Sequence, residues 1–383
     1  MKVRLSAPGK LVLLGEYSVL FGHPALVTAV DRRARVTLRE APDRVFQVTA
    51  PGVVEGPFRF DLAEDGAPRW TDDEASQRLG LVETILSSMT AAGILAPSEL
   101  PPFSATLDTS RFFRSTANGP TKLGLGSSAA LTVSFASAIA RWVGRDEFLH
   151  PTMRWLRQLL RLHRDHQRGR GSGIDLAAAL LGGTLLYQLD KDGDVLRAEP
   201  VRLPSDLVVR FVWTGHGADT GSFLDRLSAR MATNRDGISR TLDELGAIAA
   251  AGVAALTEAR VDDFLEAADA SCDGMDRLGR ECGMAILSGV HRDLRRLATE
   301  SGVTYKPSGA GGGDIGLLLT DDPGRAAAAA ESVRRAGVAT VDVASDPGGL
   351  SGRAIRTTRP GPWANRRAGA DPAARLDAAP HPL

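Results

Sequence analysis

The chain has 383 residues, 43% of them hydrophobic and 24% charged, and its 46 basic side chains are balanced by 46 acidic ones. Zero net charge excludes a global electrostatic pull toward nucleic acid or an anionic membrane, so any anion recognition must come from local clusters. The length supports two domains with separate cores, and with neither a leader pattern nor an apolar run of membrane-spanning length the expectation is a cytoplasmic protein.

Residues 3 to 15 predict a strand, a turn and a second strand. Val3 and Leu5 alternate with charged neighbours, Pro8 and Gly9 interrupt, and Leu11 to Leu14 resume the run, leaving Lys10 at the tip. From Gly15 to Leu26 glycine and polar positions are too dense for a plain core strand, and Tyr17 and His23 there read as core residues with a satisfied polar tip. Short strand-like pieces fill 31 to 70, and Leu79, Val82, Ile85, Leu86 and Met89 predict a helix over 75 to 92. Pro97, Pro101 and Pro102 mark a loop, after which a strand around Phe103 to Leu107 leads into a polar loop from Arg111 to Gly119.

Residues 120 to 130 read P-T-K-L-G-L-G-S-S-A-A and run into a small, apolar stretch ending at Trp142. Gly124 and Gly126 remove side chains where the backbone must approach something bulky, and Ser127 or Ser128 can cap the helix that follows. Free N–H groups and the positive end of the macrodipole at such a start favour phosphate, and the serine hydroxyls can reach phosphate oxygens or Mg2+. A plain glycine turn into a capped core helix would leave the same pattern. Leu131, Phe135, Ile139 and Trp142, at helical spacing, form the buried face.

The next helix, about 152 to 167, carries Arg154, Arg157, Arg161, Arg164 and Arg168 at steps of three and four. That is a cationic stripe, read either as a solvated face or as an approach path for an anionic substrate. Asp175 follows a Gly-Ser-Gly turn among small apolar residues, where a routine surface charge is out of place, although an N-cap would also account for it. A strand from Leu207 to Trp213 opens a second unit with helices around Phe223 to Met231 and Ile238 to Ile248, and a further helix over 284 to 300. Cys272 and Cys282 share one predicted helical region roughly 15 Å apart, too far for a disulfide, and lack zinc-ligand spacing.

Lys306 to Asp314 then reads as a loop whose glycines cost much conformational entropy, which argues for backbone contact with a ligand or another backbone. A strand from Ile315 to Leu319 and strands near 338 to 343 and 352 to 356 are expected to close the second unit. Beyond 358 the Pro, Ala, Arg and Gly composition predicts a disordered tail.

Three segments in this order resemble the GHMP kinase superfamily, which phosphorylates small alcohols and acids with ATP. They are Pro8-Gly9-Lys10 with Gly15-Glu16-Tyr17, the P-x-x-x-G-L-G-S-S-A-A stretch, and Ser308 to Asp314. Within it the chain is most similar to the phosphomevalonate kinase family, through His163, Gln167, Gly171, Ser172, Gly173 and Asp175, through Trp213-Thr214-Gly215, and through Lys122-Leu123. Mevalonate kinases are the nearer rival. They carry a metal-binding glutamate eleven positions before the aspartate, where this chain has Arg164. Mevalonate diphosphate decarboxylases lack an aspartate at the position of Asp175. Arg168 departs from the phosphomevalonate kinase pattern, which has a glycine after the glutamine.

The resemblance implies an α+β, two-domain GHMP kinase fold. Residues 1–205 would form a domain like the second domain of ribosomal protein S5, with left-handed βαβ character, and residues 206–357 a ferredoxin-like domain, with the active site between them. It also implies that no Walker A lysine loop exists, and none is found. The implied reaction is ATP-dependent phosphorylation of 5-phosphomevalonate to 5-diphosphomevalonate, with Lys10 and Asp175 catalytic. Lys122, Gly124, Leu125, Gly126, Ser127, Ser128 and Ala129 would hold ATP, Ser128 would also meet Mg2+, and substrate would meet Tyr17, His163, Arg168, Arg170, Ser172, Ser308, Gly309, Ala310 and Gly311. The implied partners are two small molecules, with neither nucleic acid nor membrane, and the chain would be a monomer or homodimer. A phosphate acceptor is already largely anionic at neutral pH, since its second pKa is near 6. Lys10 is therefore expected to dominate by bringing two anions together, with Asp175 chiefly orienting it. A non-catalytic metabolite sensor is the alternative of another class, and a nucleic-acid module is disfavoured by the charge balance and the lack of interleaved aromatics.

Overall fold

The computed structural model describes residues 1 to 355 apart from 42, 117, 118, 168 and 219. Arg168 and the tail expected beyond 358 lie outside the described residues.

The first part of the chain runs β1 (Lys2–Leu14), β2 (Ala25–Glu40), β3 (Phe46–Ala50), β4 (Val54–Leu62) and β5 (Pro68–Trp70), then α1 (Asp73–Arg78), α2 (Gly80–Ala91) and β6 (Phe103–Asp108). A small hairpin of β7 (Phe113–Thr116) and β8 (Gly119–Lys122) precedes α3 (Ser127–Trp142), α4 (Met153–His166), α5 (Ile174–Leu181), β9 (Thr184–Leu189) and β10 (Val195–Pro200). The long β1–β2 pair is its spine. β9 and β6 share the far edge of β2, and β3 pairs in parallel with β6, giving the order β10-β9-β2-β6-β3-β4-β5. α3 packs on β1 and β2 beside α5 and is buried almost throughout, which its run of Ala, Ser and Val permits.

The second part runs β11 (Val208–Trp213), α6 (Thr220–Thr233), α7 (Arg235–Thr257), α8 (Val261–Cys282), α9 (Gly289–Glu300), β12 (Thr304–Ser308), β13 (Ile315–Thr320), α10 (Pro323–Arg335), β14 (Ala339–Val341) and β15 (Ser351–Ile355). The sheet β12-β13-β11-β14 is antiparallel, with α6 to α9 between β11 and β12 and α10 between β13 and β14. That is the expected ferredoxin-like arrangement.

Several expectations are corrected. β1 is one strand, not two. Its register jumps from Pro8 opposite Arg33 to Gly9 opposite Val30, so the proline falls at a bulge, where no ladder donor is needed. Lys10 therefore lies inside a strand rather than at a turn. The helix over 75 to 92 divides at Leu79, with α1 capped by the Asp72 side chain and the poor helix former Gly80 opening α2. The helix over 284 to 300 starts only at Gly289, because Met284, Ile286 and Leu287 pack into a core cluster with α7 and α8 instead. Lys306, Pro307 and Ser308 belong to a strand, and the loop begins at Gly309. β15 closes the first sheet, not the second, by pairing with Lys2 to Ser6 of β1. Three arginines of the stripe are spent locally. Arg157 donates to the Val195 carbonyl and lies with Arg161 near Asp194, and Arg164 donates to the Gly171 carbonyl.

Candidate active site

The edge of β1 organises the site. Its first half is covered by β15; farther along, Lys10 N–H donates to the Leu125 carbonyl at 2.9 Å and Val12 N–H to Ser308 Oγ at 3.0 Å. Ser308 returns its hydroxyl proton to the Val12 carbonyl at 2.9 Å. Three segments far apart in sequence are thereby pinned along one strand, around a cleft of about 770 Å³.

At the head of α3 the N-cap is Gly126, in the left-handed region at φ 77°, with no side-chain cap. Ser127 and Ser128 are thus the first helical residues, not the caps, and both line the cleft. A Cβ on Gly126 would stand 3.1 Å from Lys10 Cγ and 3.6 Å from Asp175 Cβ, and one on Gly124 would stand 2.2 Å from Asp314 Cγ. A Cβ on Gly309 would be 3.5 Å from Lys10 Nζ. The lysine stem therefore runs over the first glycine loop and its ammonium reaches the second. Asp175 is not an N-cap either. Gly173 holds that place on α5, and Asp175 Oδ1 accepts from Leu176 N–H at 3.0 Å. Lys10 and Asp175 are neighbours across Gly126, with no ion pair between them among the described residues.

Lys122, Leu125, Tyr17, Arg170, Ser172 and Ala310 also line the cleft, as Gly309 does. Tyr17, itself left-handed at φ 57°, donates its hydroxyl to the Ala310 carbonyl at 2.6 Å, and burial raises the pKa of that hydroxyl. Four of the expected ligand-binding residues are engaged within the protein, although Ser308 still lines the cleft. Ser308 has committed its hydroxyl to Val12. Gly311 packs on the Ile286 backbone, and Ala129 faces the core. His163 is buried behind α3: Thr132 donates to the Ser128 carbonyl at 2.9 Å, so His163 Nδ1 donates to Thr132 Oγ1 at 3.1 Å. Burial lowers its pKa, opposed by the Asp175 charge. His163 thus braces the turn that carries Ser128.

Three further elements were missed from sequence. Lys306 is fully buried and donates to Glu16 Oε1 at 2.5 Å and to the Pro307 carbonyl at 2.8 Å, while the Glu16 side chain is 2% exposed. Asp314 is left-handed at φ 59°, accepts from Ala218 N–H at 3.0 Å, and lies over Gly124; burial raises its carboxyl, opposed by that amide and by Lys10. Behind the glycine loop, fully buried His291 bonds the Gly313 carbonyl through Nε2 at 3.1 Å and the Tyr305 hydroxyl through Nδ1 at 2.6 Å. A carbonyl only accepts, so Nε2 carries the proton and Nδ1 accepts from Tyr305. Burial lowers the His291 pKa to about 4. A carboxylate closing a glycine run was the signal for Asp314, while the 290-residue separation of Glu16 and Lys306 leaves no local pattern.

Chemically, the cleft joins the amides of a helix start to Lys10, Lys122 and Arg170 and to the carboxylates of Asp175, Asp225 and Asp314. No cluster of three or more His, Cys, Asp or Glu able to hold a metal occurs among the described residues. Ser128 and Asp175 offer hard oxygens at the cleft wall, which fits Mg2+ carried on a nucleotide, since that ion takes one or two protein oxygens and completes its shell from phosphate and water.

Residues 89–183 match the family model "GHMP kinases N terminal domain" and residues 253–339 match "GHMP kinases C terminal". The chain is 28% identical over 345 residues to a phosphomevalonate kinase of Streptomyces sp. (strain CL190), covering 82% of this chain and 89% of that one. It is 26% identical to the phosphomevalonate kinase of Saccharolobus solfataricus, covering 90% and 98%. A mevalonate kinase of Methanothermobacter thermautotrophicus is 27% identical, covering 85% and 91%. The fold is shared with Streptococcus pneumoniae phosphomevalonate kinase in complex with phosphomevalonate and AMPPNP, at TM-score 0.68 and 18% identity, covering 90% and 99%.

Proposed function

Because the chain belongs to the GHMP kinases, we propose that its cleft transfers the γ-phosphoryl group of ATP to the phosphate of 5-phosphomevalonate, yielding ADP and 5-diphosphomevalonate. The observation that carries this reading is the convergence of Lys10, Asp175 and the head of α3 on Gly126, a cation set where two anions must meet. Similarity to phosphomevalonate kinases over nearly the whole of their length supports this acceptor.

An acceptor phosphate oxygen forms the new bond to the γ-phosphorus while the bond to the β–γ bridging oxygen breaks and ADP leaves. Phosphoryl transfer asks the protein mainly for positioning and charge neutralisation. The amides after Gly126 and the Ser127 and Ser128 hydroxyls hold the nucleotide tail, with Lys122 beside them. Lys10 bridges donor and acceptor. Because the acceptor oxygen is already largely anionic at neutral pH, Asp175 has little proton to remove; it sets the position of Lys10 across Gly126. Ser128 and Asp175 would hold Mg2+, which would supply charge neutralisation for the transferring group.

Mevalonate kinase activity is the second reading, favoured by the similarity to that family over most of the chain. Against it, Arg164 stands where that family has its metal-binding glutamate, and here it is bonded to the Gly171 carbonyl. Coupled ADP release with mevalonate, 5-phosphomevalonate and 5-diphosphomevalonate separates the readings. Turnover with 5-phosphomevalonate alone is expected. Turnover with mevalonate alone would overturn the acceptor assignment, and turnover with none would leave a metabolite-binding sensor.

A further inference from the structure

Among the described residues lining the cleft, the permanently cationic side chains are Lys10, Lys122 and Arg170. Arg170 already has a carboxylate. Its guanidinium, from the loop between α4 and α5, pairs across the cleft with Asp225 on α6. Both side chains line the cleft, and they are 35% and 64% exposed. α6 is fixed from below, because Arg226 donates to the Gly283 carbonyl and Arg230 to the Glu281 carbonyl, both at 2.8 Å. Asp225 is therefore held at the cleft by a docked helix.

Exposed ion pairs are weak, worth about a two- to fivefold change in an equilibrium constant. An incoming phosphate or carboxylate can match the planar guanidinium fork with two parallel hydrogen bonds, so exchange on Arg170 is easy. Arg170 stands two residues before Ser172, which also lines the cleft and which the function proposed above places at the substrate rather than at the nucleotide tail. An anion on Arg170 therefore belongs to the acceptor.

Building on the function proposed above, we infer that Asp225 is a built-in competitor of the acceptor. In the free cleft it occupies the place on Arg170 that the acceptor's anionic group takes on binding, so Arg170 selects for an anionic acceptor and Asp225 sets how tightly it is held.

The test is calorimetric titration of 5-phosphomevalonate into the full-length protein, its Asp225→Asn and Arg170→Ala variants, and the double variant. Asp225→Asn is expected to tighten binding about two- to fivefold. Arg170→Ala is expected to weaken it at least about tenfold, and adding Asp225→Asn to Arg170→Ala should change nothing further. Unchanged or weaker binding by Asp225→Asn, or an equal gain without Arg170, overturns the inference while leaving the transfer reaction to the ADP-release assay. Binding that behaves as expected without ADP release would overturn the reaction and keep this inference. No binding by the unaltered protein overturns both.

Discussion

Replacing Lys306 by methionine tests what holds the two halves of the cleft in register. Lys306 has no exposed surface and the Glu16 side chain is 2% exposed, so Lys306→Met leaves a carboxylate buried opposite a thioether. Breaking a buried pair by removing one partner costs about 3–5 kcal/mol, most of it the desolvation of the charge left behind. The hydrogen bond to the Pro307 carbonyl goes too, adding about 1 kcal/mol. Exchanging both members for apolar side chains of similar volume is close to neutral in other proteins, so Glu16→Leu with Lys306→Met should recover most of the loss. Guanidinium unfolding of the unaltered protein, the single variant and the double variant measures this. A single variant within about 1 kcal/mol of the unaltered protein, or a double variant no better than the single, would refute a buried pair at this position. Turnover carries separate information. Glu16 precedes Tyr17, and Lys306 stands two residues before Ser308, which holds Val12, so Lys306→Met should also lower kcat below the unfolding transition.

Gly126→Ala should reduce turnover by about 10² or more, since its Cβ would lie 3.1 Å from Lys10 Cγ at a backbone φ of +77°; steady-state kinetics with intact circular dichroism checks it. His291 gives a pH dependence. Its folded pKa of about 4 lies below the ordinary 6.5, so its neutral form contributes stability above pH 6.5 that is lost as pH falls toward 4, in total about 3 kcal/mol. Unfolding midpoints from pH 7.5 to 4 should fall more steeply in the unaltered protein than in His291→Gln, and parallel curves would contradict the assignment. Thr132→Val removes the hydroxyl between His163 and the Ser128 carbonyl and should raise KM for ATP more than it lowers kcat; an unchanged KM would argue against that brace.

The parts of the site legible in the sequence are those written in short, continuous motifs. The two glycines before α3 exist because Lys10, Asp175 and Asp314 approach that backbone closely, and a glycine pattern records such approaches directly. Apolar stretches of strand length likewise exposed β6, β11 and β13. What stayed hidden depends on pairing across long separations. Pro8 and Gly9 look like a turn in isolation, and only the partner strand turns them into a bulge. The return of β15 to β1 is a matter of edge pairing, which carries no local signature. Ser308 borders a glycine loop and lines the cleft, and the unpaired edge of β1 engages its hydroxyl there, which no local pattern shows. The serines opening α3 read as caps because serine favours that place; a left-handed Gly126 takes it instead and leaves them facing the cleft.

The central claim is that an ammonium group, rather than a base, carries the transfer. Turnover of 5-phosphomevalonate by Lys10→Ala and Asp175→Asn from pH 6 to 9 tests it most directly. Losing a preorganised charge costs about 10²- to 10³-fold, so Lys10→Ala should fall at least that far and Asp175→Asn less at every pH. A larger loss for Asp175→Asn across that range would contradict the account and assign the aspartate to proton abstraction.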